Sequence, residues 1–334
     1  MRTASGRAFA RVGLLGNPSD GYGGKALAFA LGDFRARARI EPCDRVEIIA
    51  ADDDPVTFVS AREAAEAYSI EGTSGGVCLV SAALHRFFVH TPWLADLDAA
   101  DERLRFSIRF DTDIPRQVGL AGSSAIVVAV LRGLMGWFDH AFEPAELAEI
   151  ALAAEVEELD LAGGPMDRVI QVYEGVVAMD LREPRSAASY KAVDPDLLPP
   201  LFVAWDPAGG EPSGQAHGAL KARWDSGDEE LRGLMSEFRD LVDAGLEALD
   251  RGDHGAFAEL MNRNFELRAR FFPISERDRE AISIARRAGV AAKLCGSGGA
   301  IVGQPGDESA FDLLRSDYRA ADFEFLRPRI VAAR

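Results

Sequence analysis

Cysteine is scarce in this chain of 334 residues: Cys43, Cys78 and Cys295 are far apart and in no metal-ligand spacing. An odd, scattered set argues against a disulfide framework and fits a reduced, cytoplasmic protein. Histidine is equally sparse, and His85, His90, His140, His217 and His254 form no zinc constellation. Positive charge is outnumbered, with 37 Lys plus Arg against 54 Asp plus Glu and a formal net charge of -17. So acidic a surface repels nucleic acid and anionic membranes, and neither is expected as a partner. An anionic small molecule would need a pocket with cations of its own. No apolar run reaches the length of a membrane span, and "MRTASGRAFARVGLL" lacks a signal-peptide core. Internal repeats and low-complexity segments are also absent.

What is present is 48% hydrophobic residues, enough for one large or two ordinary domains. The first third reads as short strands, "AFARVGLL", "GKALAFAL", "RARIEPC" and "RVEIIAA", separated by Gly, Asn, Asp and Pro signals. The spacing predicts helices over 76–88, 123–138, 144–158 and 165–173, with strands over 104–111 and 175–181. The polar, Pro-containing segment 182–198 reads as a linker. Beyond it come a strand "LFVAWD", a loop "GEPSG", two amphipathic helices over 229–249 and 254–271, and strand–glycine turn–strand over 290–304. A short helix and a last strand in "FEFLRPRIVAA" complete the chain. Strands and helices mix without regular alternation, which favours α+β.

One stretch stands out: "IPRQVGLAGSSAIVVAVLRGL", where glycines and small hydroxyl residues stand before a nearly uncharged apolar helix. A helix N-terminus offers unpaired N–H groups and the positive end of the dipole, and small residues let a phosphate approach. Ser123 or Ser124 could instead simply cap a core helix. The Walker-type G-x-x-x-x-G-K-[ST], the Rossmann G-x-G-x-x-G and the hydrolase G-x-S-x-G are all missing, so any nucleotide loop is of another type.

Three segments, "RVGLLGNPSDGYGG", "GLAGSSA" and "KLCGSGGAIVG", occur in the order and approximate spacing of three motifs. Together they resemble the GHMP small-molecule kinases, over essentially the whole chain. "GNPSD", "IPRQVGLAGSSAIV", "MDRVIQVYEG" and "AAKLCGSGGA" are most similar to the glucuronokinase branch known from plants. The resemblance implies a two-domain α+β fold: an N-terminal domain over 1–190 with a left-handed βαβ crossover, and a ferredoxin-like domain over 199–334, with the active site in the cleft between them. It implies an ATP- and Mg²⁺-dependent phosphotransferase acting on a small sugar acid or sugar, D-glucuronate at its anomeric hydroxyl. Another sugar or a heptose phosphate, or a sensor that binds without transfer, remains open.

The same resemblance assigns roles. Gly119, Leu120, Ala121, Gly122, Ser123, Ser124 and Ala125 would wrap the triphosphate, and Ser124 with Glu155 would hold Mg²⁺. A solvated helix face is the alternative for Glu155, since Glu157 and Glu158 adjoin it. Asp167 matches the catalytic base. Arg11 would support Asp167 or neutralise the phosphate, unless it is a surface arginine at a strand end. Asn17 and Asp20 would meet the sugar, although "NPSD" is also an ordinary turn. A uronate carboxylate suits arginine; Arg168 is the first candidate, with Lys25 and Arg116 as alternatives. Gly296, Ser297 and Gly298 would form a turn closing over nucleotide and substrate. The segment 71–77, "EGTSGGV", is a weak candidate for the adenine side.

Overall fold

Two strands longer than any read from the sequence organise the chain: β1 (Ala4–Leu15), buried from Ala8 onward, and β2 (Lys25–Pro42), with which it pairs. The structure, a computed structural model, describes residues 3–51, 53–69, 75–98, 101–182, 185–209, 220 and 222–334. Its contacts divide into two compact units. The first takes Met1–Ala10, Phe34–Ile114 and Ala121–Val172; the second takes Arg11–Asp33, Pro115–Leu120 and Tyr173–Arg334.

In the first unit, β4 (Val56–Phe58), β3 (Val46–Ala50), β5 (Phe106–Thr112) and the second half of β2 pair in that order. The β3–β5 pair is parallel, and the crossover between those strands carries α1 (Ala61–Glu66) and α2 (Gly76–His90). Then follow α3 (Gly122–Phe138), α4 (Pro144–Val156) and α5 (Met166–Tyr173). Helix α3 packs against α2, α4 and β5, and is apolar nearly all round because it is buried nearly all round. Its one charged residue, Arg132, donates to carbonyls, from Nη1 to Arg7 O at 2.7 Å and from Nη2 to Val172 O at 2.8 Å.

In the second unit the first half of β2 pairs with β6 (Val176–Asp180), which pairs with β7 (Tyr190–Val193). A separate antiparallel sheet holds β8 (Phe202–Trp205), β9 (Ala291–Leu294), β10 (Ala300–Gln304) and β11 (Glu324–Leu326) in the order β11-β8-β10-β9. Helices α6 (Glu229–Asp250), α7 (His254–Phe271) and α8 (Glu276–Arg287) lie between β8 and β9 in the chain, and α9 (Glu308–Ala320) between β10 and β11. The spatial order fourth, first, third, second is ferredoxin-like. Phe202, Ile284, Leu294, Ile301, Tyr318 and Phe325 belong to its core. Leu234, Phe238, Leu267 and Phe272 form a second cluster on α6, α7 and the residue after α7.

The expected helices and most strands are found within a few residues of their predicted bounds. The break expected at Gly32–Asp33 is not. β2 runs straight through, because Gly32 N–H donates to Arg329 O at 2.7 Å and Asp33 accepts from Arg329 N–H at 2.8 Å, so both residues receive the C-terminal segment rather than make a turn. The segment 182–198 is not simply a linker, since it supplies β7. Elements β4, α1 and α8 have no counterpart in the sequence reading. The "GEPSG" loop and residues 71–74 of the adenine-side candidate lie outside the described residues. Among the described residues no helix is long and apolar enough to cross a membrane.

Candidate active site

Helices α6, α7, α8 and α9 each start with a side-chain cap, from Asp228, Asp253, Ser275 and Asp307. Helix α3 does not. Its N-cap is Ala121 in the left-handed conformation (φ 61°, ψ 48°), and no side chain caps the first turn. Neither serine is therefore the cap that the sequence allowed: Ser123 is exposed and Ser124 is buried, both inside the first turn. Gln171 pins this entry, its Nε2 donating to Ala121 O at 2.8 Å. That residue had no role in the sequence reading, though it sits one helical turn after Asp167 on the same face.

Asp167 lies in the first turn of α5 and is half-buried. Glu155, on α4, is 1% exposed, so the solvated-face alternative is wrong for it. Its Oε2 accepts from Arg168 Nη2 at 2.5 Å and Nε at 2.7 Å, while Arg168 Nη1 donates to Gly164 O at 2.8 Å. The side chain expected to read a substrate carboxylate is thus turned onto a carboxylate of its own unit. For a divalent ion, Ser124 and Glu155 offer hard oxygen donors only. That set fits Mg²⁺, which leans on one or two protein oxygens plus phosphate and water. Among the described residues no group of three or more His, Cys, Asp or Glu is placed to hold a metal.

In the second unit the loop before Ala121 meets the turn at Cys295–Gly299. Gly119 (φ +71°) lies so close that a Cβ there would sit 2.4 Å from Gly298 O, and one on Gly296 would sit 2.5 Å from Gly119 O. Glycine at both positions is what lets the two backbones touch. Arg11 is 4% exposed, within β1 and not a surface residue; its Nη1 donates to Gly119 O at 2.5 Å and its backbone N–H to Leu120 O at 3.2 Å. Arg11 therefore holds the loop from behind.

Asn17 and Asp20 are both buried, Asp20 in a 3₁₀ turn at Ser19–Tyr22. Asn17 Oδ1 accepts from Lys293 Nζ at 2.7 Å, and its carbonyl accepts from Asn264 Nδ2 at 3.0 Å. Lys25 Nζ contacts both carboxylate oxygens of Asp243 at 2.7 Å, and Arg116 is exposed. Lys293, 1% exposed, also donates to Gly13 O at 2.8 Å and Leu294 O at 2.7 Å. Arg268 on α7, 4% exposed, donates from Nη2 to Ser297 O at 2.8 Å. Asp278 accepts from Gly299 N–H at 2.7 Å. Burial pushes Lys293 down to about 7, Arg268 down to about 10 and the Cys295 thiol up to about 12. Lys293 and Arg268 were given no role from the sequence. The signal was there for Arg268: Phe257, Met261, Asn264 and Arg268 follow a helical stripe, all buried, so two polar residues occupy core positions of α7.

The GHMP kinases N terminal domain model matches residues 79–175, and the GHMP kinases C terminal model matches 246–321. Glucuronokinase 1 of Arabidopsis thaliana is 37% identical over 95% of this chain and 89% of its own length, and probable glucuronokinase 2 of the same plant is 36% identical over 95% and 88%. The solved phosphomevalonate kinase of Streptococcus pneumoniae, bound to phosphomevalonate and AMPPNP, superposes with a TM-score of 0.78 over 99% of this chain and 100% of that one, at 16% identity. The uncapped, glycine-led helix entry, buried Glu155 and half-buried Asp167 all fall within the residues that the N-terminal model matches, and the chain belongs to the GHMP kinases, phosphotransferases with an alcohol group as acceptor.

Proposed function

We propose that this protein transfers the γ-phosphoryl group of ATP to the anomeric hydroxyl of D-glucuronate, giving glucuronate 1-phosphate and ADP. The observation that carries the acceptor is the near end-to-end similarity to two plant glucuronokinases, at 37% and 36% identity. The chemistry is supported by what the first unit holds. The uncapped N–H groups of Gly122, Ser123 and Ser124, at the positive end of α3, would take phosphate oxygens. Asp167 would accept the proton of the sugar hydroxyl as its oxygen bonds to the γ-phosphorus and the bond to the β–γ bridging oxygen breaks. Ser124 and Glu155 would hold Mg²⁺, which neutralises the phosphates when bound.

The neighbours act through these groups. Arg168 orients Glu155, Gln171 fixes Ala121, and Arg11 fixes Gly119. Asp20 would hydrogen-bond a sugar hydroxyl, with Asn17 and the turn at Gly296, Ser297 and Gly298 shaping the acceptor side and Lys25 held beside it by Asp243. An ADP-release assay on purified protein tests the reading. D-glucuronate should support turnover, while D-galactose and mevalonate should not, and phosphorus NMR should show an anomeric phosphate. Preference for either of the other two acceptors would reject it.

A further inference from the structure

The chain carries a formal charge of -17, yet one place in the second unit is rich in buried cations. Arg11, Arg268 and Lys293 are each at most 4% exposed, and each of the three lies in the field of another. Asp20 and Asp278 are carboxylates in the field of this group. All five groups gather around the segment from Lys293 to Gly299. Arg11 lies against Gly296, Arg268 holds Ser297 O and Asp278 holds Gly299 N–H.

Within this group Arg268 is the side chain left underused. Of its five N–H donors, one hydrogen bond is made, to Ser297 O, and the guanidinium lies over the Phe272 ring at 5.0 Å. It makes no ion pair among the described residues, and its buried Nε has no hydrogen-bond partner. A guanidinium taken out of water with so little in return implies an anion that completes it. The other candidates for that task are already engaged or exposed: Arg168 by Glu155, Lys25 by Asp243, Arg116 on the surface. Lys293 differs again, since its three acceptors use up an ammonium's three donors, leaving none for a ligand.

We propose that Arg268 recognises the carboxylate of the uronic acid, with Arg11 adding to the positive field around it. The inference rests on the glucuronate reading and names the group that makes the site prefer an acid to a neutral sugar. Planar, two-point recognition of a carboxylate is what a guanidinium provides and an ammonium does not. The neighbouring Asp20 is then placed for sugar hydroxyls, and its own charge keeps the cluster from retaining a stray anion when the acceptor is absent.

Steady-state kinetics of wild type, Arg268→Gln and Arg268→Lys with D-glucuronate, D-glucuronamide and ATP test this. The amide keeps the shape of the acceptor and removes its charge. Wild type should favour the acid strongly. Arg268→Gln should raise KM for glucuronate by roughly 10- to 150-fold, the cost of one charge-assisted pair, while KM for ATP stays within about twofold and kcat/KM for the amide, whose carbonyl accepts only a neutral-acceptor hydrogen bond, falls by about tenfold or less. Arg268→Lys, which keeps charge and stem, should fold if the glutamine variant does not and should still raise KM for glucuronate about tenfold. Equal losses for acid and amide, or a change confined to ATP, would overturn the assignment. If wild type turned over no glucuronate, the acceptor reading itself would fall. If wild type did so and both variants matched it, only Arg268's role would fall.

Discussion

Arg168 and Arg268 are hidden from solvent to the same degree, at 3% and 4% exposure, yet they are held in opposite ways. Arg168 has a carboxylate at 2.5 Å and a carbonyl at 2.8 Å, and it holds Glu155 in place. Arg268 has one carbonyl and a ring face. A buried charge that is matched within the fold serves the fold, and a buried charge left unmatched is available to a ligand. The same contrast separates the exposed pairs, such as Lys25 with Asp243, in which solvent has already done most of the work.

The largest expected effect falls beside the matched arginine. Asp167→Ala should lower kcat by about 10²- to 10⁴-fold, the usual worth of a general base, with ATP binding retained in a filter or fluorescence titration. Near-normal turnover would remove Asp167 from that role. Next come the two arginines themselves. Arg168→Met removes the ion-pair partner of buried Glu155 and should cost about 3–5 kcal/mol in denaturant unfolding. Arg268→Met removes a buried charge that makes one hydrogen bond and no ion pair among the described residues, and should cost at most about 1–2 kcal/mol. Equal losses would erase the distinction between them.

A smaller effect depends on pH. The folded state pushes Lys293 down to about 7, while the unfolded chain keeps an ordinary lysine near 10.5. Above pH 7 the unfolded state therefore binds more protons, and stability should rise with pH. Cys295, pushed up from 9.0 to about 12, opposes the rise above pH 9, so the window to measure is pH 7 to 8.5. Lys293→Met should flatten that slope. At the bottom of the scale, Lys25→Ala should change stability by about 1 kcal/mol or less, because its partner Asp243 is half exposed.

The glycine-led entry to α3, the long helices α6 and α7 and the glycine turn before β10 could be read from the chain, because their signals are local. β2 could not be read as one strand, since Gly32 and Asp33 look like a break until the C-terminal residues pair with them. α8 was hidden by its polarity, with only one narrow face buried. In the candidate site, motif wording singles out Ser124, Glu155 and Asp167. What those motifs do not encode is partnership. Glu155 looks like a solvated residue among Glu157 and Glu158 until Arg168 folds onto it, and Arg268 looks like one more helix arginine beside Arg263 and Arg270 until the stripe through Met261 and Asn264 is traced.

The unmatched arginine can be tested without turnover, by thermal unfolding in rising D-glucuronate. A ligand bound only by the native state stabilises it by about 2.7 kcal/mol at a hundredfold excess over Kd. Wild type should therefore gain several degrees in Tm, and Arg268→Gln should gain almost none while keeping its full response to a non-hydrolysable ATP analogue. An undiminished glucuronate response in that variant would contradict the account.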